Sequence, residues 1–74
     1  MLKYVNQETE KITETGITEM RVDIIIDSSA ELVTSQGNIK FTAGSIAWSI
    51  NDRTFFGLNS SGEWINQKGE TNNE

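Results

Sequence analysis

Apolar and polar positions alternate most strictly after residue 44, where Ile46, Trp48 and Ile50 fall on one face of an extended chain. A period of two predicts a strand. Asn51 and Asp52 then break the alternation, and both residue types tolerate positive φ, so they read as a two-residue hairpin turn. That turn sets Ile50 across from Arg53, Trp48 opposite Phe55 and Ala47 opposite Phe56, so ring area falls on both faces. Ser60-Ser61-Gly62 suits a three-residue loop with Gly62 in the left-handed position, which brings Leu58 near Trp64 and Gly57 near Ile65. Residues 44–64 are thus expected to form a three-stranded meander holding four of the six aromatics.

Upstream, Met20 to Ile26 is the clearest single strand, because consecutive β-branched residues suit a pleated surface. The acids agree. Glu19, Asp23, Asp27 and Glu31 recur every four residues, and a helix would stack these like charges along one face. Asp27 to Leu32 reads as an Asp cap followed by one short helical turn, Ser35 to Asn38 as a turn and Ile39 to Thr42 as a short strand. The expected fold is mainly β: a small antiparallel sheet, with the meander joined by one or two N-terminal strands and at most one helical turn. Residues 1–19 are poor in apolar side chains and read as an extended arm that orders against a partner. Residues 20–67 form the β domain, and the polar stretch 68–74 reads as a disordered tail. A small sheet with two apolar faces needs a cover for the second, either the turn at Ala30–Val33, the N-terminal strand or another chain.

Length sharpens that need. A chain of 74 residues buries only about 60% of the surface it exposes when unfolded, so its margin of stability is thin. Small domains add disulfides, metals or partner subunits. With no cysteine and no histidine, neither a disulfide nor a zinc site is available, and a homo-oligomer or docking on a larger body is the expected support. The formal charge is -5, with seven acids against three bases in residues 1–31. An acidic chain without a basic stripe gains little from counterion release, which excludes nucleic acid as the expected partner. The N-terminus lacks a signal-peptide pattern and no apolar run approaches the roughly 18 residues that cross a bilayer, so the expectation is a non-membrane protein made in the cytoplasm.

Candidate chemistry is sparse. Absence of His and Cys removes the commonest general base and the strongest nucleophile, and the chain is not expected to be an enzyme or to carry a cofactor. An acid pair drawn from Asp23, Asp27, Glu31, Asp52 and Glu63 would need a deep cleft, and a calcium site at Asp23, Asp27 and Asp52 lacks the spacing of a calcium loop. Solvated surface is the plainer reading of these acids. Trp48, Phe55, Phe56 and Trp64 are candidate core or interaction rings, with Trp64, near the sheet edge, the one expected to be shared with a neighbouring subunit.

Two motifs in the meander carry a resemblance. Gly44-Ser45-Ile46-Ala47, then Phe55 or Phe56, then Leu58-Asn59-Ser60-Ser61-Gly62-Glu63-Trp64 resembles a pattern in short structural proteins of tailed-bacteriophage and prophage virions, and Ile26 to Leu32 looks like the segment that often precedes it. The resemblance implies a small β-rich virion component that binds other virion proteins: a capsid decoration protein, a head-fibre anchor or a tail accessory piece. A carbohydrate- or host-surface-binding module using exposed rings is the alternative, and a phage regulator of one host enzyme a third.

Overall fold

In the computed structural model of the chain, which describes residues 1–68, the β-branched run lies in strand β2 (Thr18–Ile26), on which the whole sheet is built. Its alternate side chains Met20, Val22, Ile24 and Ile26 are all buried. One edge of β2 pairs antiparallel with β1 (Lys3–Ile12). Its other edge is shared: β4 (Ile39–Phe41) pairs parallel with Thr18–Met20, and β5 (Ile46–Ser49) pairs parallel with Asp23–Ile26. The short β3 (Ser35–Gln36) lies outside β4, while β6 (Thr54–Leu58) and β7 (Trp64–Asn66) follow outside β5. The seven-stranded sheet is therefore mixed, and it forks halfway along β2.

The fork leaves the middle of β2 without a facing strand, and a side chain fills the gap. Ser45 is fully buried; its hydroxyl accepts the Val22 N–H at 3.1 Å and donates to the Thr42 carbonyl at 2.8 Å.

The two branches close over one face of β2. Phe41, Ala47, Phe56 and Leu58 join the β2 side chains in one core cluster, with Leu2, Tyr4, Leu32, Ile39 and Trp64 packed against it. Tyr4 meets Phe41 edge-on at 6.2 Å and its hydroxyl donates to Gln36 Oε1 at 2.8 Å, which ties β1 to the β3–β4 hairpin. Trp64 Nε1 donates to the Val33 carbonyl at 2.9 Å and so ties β7 to the segment after β2. The inner face is covered from within the chain.

The meander has the register read from its turns: Trp48 faces Phe55, Ala47 faces Phe56, Leu58 faces Trp64 and Gly57 faces Ile65. Gly62 sits at φ +82°, as the loop requires of a residue without a Cβ. The first turn differs. Asn51 and Asp52 occupy its centre, closed by the Arg53 N–H to the Ile50 carbonyl at 3.3 Å, but positive φ falls on Arg53, at 55°. Asp52 remains exposed and bends back over the turn, where its Oδ2 accepts the Ser49 hydroxyl at 2.6 Å and the Ser29 N–H at 2.9 Å. The helical turn is a single 3-10 turn, Ser29–Glu31, capped by Ser28 with no side-chain cap bond. Asp27, expected as the cap, instead accepts the Met1 ammonium at 3.0 Å, because Asp52 already satisfies the Ser29 amide.

Residues 3–12 form β1, whose register against β2 shifts between Tyr4 and Asn6 and again between Thr9 and Lys11. Each shift inserts one residue as a bulge. The tail expected at 68–74 lies, beyond Lys68, outside the described residues.

Asp52 links the first hairpin to the 3-10 turn, and its ionisation reports on that link. The Ser49 hydroxyl first, then the Ser29 amide, hold its carboxyl below the ordinary carboxylate range. A depressed folded pKa means that the contribution of the charge is present above the unfolded pKa and lost as pH falls through the folded one. The stability gap between the wild type and Asp52→Asn in urea titrations is therefore expected to be widest near neutrality and to close as pH drops through the carboxylate range. A gap independent of pH would refute this role for the charge.

Candidate interaction surface

Alternation decides which rings reach solvent. Phe56 and Phe55 are neighbours in β6, so they point to opposite faces: Phe56 is 8% exposed in the core and Phe55 is 50% exposed outside. Trp48, across from Phe55 on β5, packs its ring against it at a centroid distance of 4.7 Å and a tilt of 52°. The four candidate rings are thus divided. Phe56 and Trp64 face inward, Trp48 and Phe55 outward, and the Trp64 N–H donates to the Val33 carbonyl within the chain.

Around the outer pair lies a continuous apolar surface. Ile46 and Phe55 line two adjoining grooves: one of about 600 Å³ that extends over Gly57, Ile65 and Gln67, and one of about 380 Å³ that extends over Trp48, Ile25 and Val5. Val5 joins this face by alternation, two residues after Lys3, which pairs with the outer Ile25, and the first bulge of β1 keeps Asn6 across from the outer Asp23 as well. Gly57 makes a notch. It stands between Ile46 and Ile65 in the register, and where its neighbours carry bulky side chains it leaves space that only the Gln67 amide approaches.

The face carries little net charge. Arg21 and Asp23 at its margin pair with each other, Arg21 Nη2 lying 3.2 Å from Asp23 Oδ1. Glu8 lies across from Arg21, and Lys11 across from Glu19, so opposite charges meet along the β1–β2 ladder. Of the other acids considered for chemistry, Asp27 and Glu31 share the Met1 ammonium, Asp52 holds Ser29 and Ser49, and Glu63 meets the Asn59 amide at 3.5 Å. No group of three or more acidic side chains fit to hold a metal ion occurs among the described residues, and none of their helices is long and apolar enough to cross a membrane.

The residues of the two resembling motifs have a task in this geometry, and the task is folding. The Gly44 N–H donates to the Leu58 carbonyl at 2.8 Å and the Leu58 N–H to the Ser45 carbonyl at 2.9 Å, so the motifs are bonded to each other. Ala47 is fully buried between β2 and β6, and Asn59 Oδ1 accepts the Ser61 and Glu63 amides, which shapes the loop that Gly62 completes. The surface signals in the sequence were fainter. A lone glycine inside a strand pattern marks a close approach or a gap, and Gly57 was the one residue that pointed to the notch. No family model, curated protein or solved structure matches the chain.

Proposed function

We propose that this chain is a non-enzymatic structural component that works by binding other protein subunits, of the kind built into bacteriophage virions as a capsid decoration or head-fibre anchoring protein. The observation that carries the adhesive part is the outer face of the sheet, where Val5, Ile46, Phe55 and Ile65 are 62%, 38%, 50% and 45% exposed side by side. The largest contiguous apolar patch of a small protein is often its binding site. The virion part rests on the sequence resemblance of residues 44–64.

Adhesion suits the chemistry of the chain. A protein that binds an assembled shell and not its free subunits stabilises the shell by mass action, and needs only a rigid patch for the purpose. Rigidity comes from the covered inner face; the patch is the outer one. The β1–β2 hairpin, where Glu10 and Glu14 stand across from no base in the register, offers a second, acidic surface for a neighbouring subunit. Under this reading the chain is made in the host cytoplasm and ends in the particle.

Density-gradient purification of particles followed by immunoblotting for this chain tests the proposal. The expected result is the chain in the particle fraction in many copies, and reduced occupancy for Phe55→Glu. A chain that stays wholly in the soluble fraction would overturn it.

A further inference from the structure

The geometry points to a second copy of this chain as the occupant of the outer face, packed sheet against sheet about a two-fold axis with each Phe55 ring seated in the Gly57 notch of the other. The inference rests on the outer face being the binding surface and specifies its partner, so that the dimer is the unit that joins the particle and the β1–β2 hairpin is the surface it keeps free for the shell.

Shape is the first argument. Phe55 and Gly57 lie on the same face of one strand, about 7 Å apart at the usual rise of an extended chain. One is the half-exposed ring of the strand and the other the position on it that lacks a Cβ. A two-fold axis that lies between two sheets and crosses β6 at Phe56 reverses the strand direction, so position 55 of one copy stands over position 57 of the other. Knob and hole are then exchanged twice. A surface complementary to itself in this way is what an isologous dimer requires.

Area is the second argument. Given the exposures of Val5, Ile46, Phe55 and Ile65, with Trp48 and Ile25 half-buried between them, the face presents on the order of 400 Å² of apolar surface. Two such faces bury about 800 Å², near two thirds of the roughly 1,200 Å² at which specific interfaces begin, and two thirds is about the apolar share of homodimer interfaces. The patch is large enough for a small dimer.

Charge is the third. Each chain carries a formal charge of -5, so two copies approach only where their acids are held apart. The acids of the outer margin are matched, Asp23 with Arg21 and Glu19 with Lys11 across the ladder, while Asp27, Glu31 and Asp52 lie around the 3-10 turn. Among the described residues, Arg21 and Asp23 at the margin are the only ionisable side chains that line the grooves of the face.

Sedimentation equilibrium of the wild type, Gly57→Val and Phe55→Gln tests this. Gly57 lies outside the left-handed region and an added Cβ would meet the Gln67 amide at 3.3 Å, so valine fills the notch once that exposed side chain, which donates to the Ile65 carbonyl at 2.9 Å, swings aside. Phe55 is exposed, and Phe55→Gln serves as the second variant should Gly57→Val fail to fold by circular dichroism. The expected result is a wild-type dimer in the micromolar range, with dissociation constants raised at least tenfold by Gly57→Val and roughly a hundredfold by Phe55→Gln, the size of a central anchor. A wild type that is monomeric throughout, or a dimer indifferent to both substitutions, would overturn the inference. A monomer that still joins particles overturns this inference alone, whereas a notch-dependent dimer that never joins them overturns only the virion reading.

Discussion

Replacing Phe56 with alanine is expected to remove about 3–5 kcal/mol of stability, while the same change at its neighbour Phe55 costs about 0.5–1.5 kcal/mol. The two residues are adjacent and chemically identical, so composition and strand propensity change equally in both variants. Only the face differs. Phe56 lies in the core cluster across from Ala47, and its removal opens a cavity among close-packed side chains. Within a single chain, at concentrations below dimer formation, Phe55 loses its contact with Trp48 and little else, because half of its surface is already in water. For 74 residues at roughly 0.05–0.15 kcal/mol each, total stability is about 4–11 kcal/mol, so Phe56→Ala consumes a large part of it. Urea unfolding followed by tryptophan fluorescence separates the two. Equal losses would mean that the register of the β5–β6 hairpin is wrong and that the outer face is not an outer face.

That register was legible in the sequence because the evidence for it is local. A turn of fixed length sets every pair on the strands it joins, so Asn51-Asp52 and Ser60-Ser61-Gly62 were enough to place Trp48 on Phe55 and Leu58 on Trp64. The run Met20–Ile26 was equally legible as a strand. What escaped was everything set by distant pairing. Nothing in the spacing of residues tells β2 that it will be flanked by β4 and β5 in parallel, since a parallel pair leaves no turn signature between its strands. The role of Asp52 escaped for the same reason. Its side chain was read as favouring a turn, and it does sit in one, but its carboxylate is committed to Ser29, a residue 23 positions away. The candidate surface was half visible: ring area on both faces of the meander follows from the register, whereas the sheet forks and folds over one face only, which leaves the outer Trp48–Phe55 pair open and draws Trp64 inward.

Ser45→Ala is expected to cost about 1–3 kcal/mol although it removes a single oxygen atom, because it leaves a buried backbone donor unsatisfied. At the fork of the sheet the Val22 N–H has no strand to bond to, and the Ser45 hydroxyl is its acceptor at 3.1 Å in a fully buried setting. Alanine keeps the shape of the site nearly unchanged, so the loss reads the hydrogen bond and not a cavity. Ser49 supplies the control. It is as deeply buried, but its hydroxyl donates to Asp52 at an exposed hairpin where water can replace it, and Ser49→Ala is expected to cost less. The location of the loss is as informative as its size. Hydrogen exchange at the Val22 amide is expected to rise in Ser45→Ala more than exchange at Ile24, which stays within the β2–β5 ladder. A serine at this position lets one strand serve two branches of a sheet, and the covered core and the open outer face both follow from that division. If Ser45→Ala left the Val22 amide as protected as before and stability unchanged, the branches would have to be joined by something other than this hydroxyl, and the fork would lose its explanation.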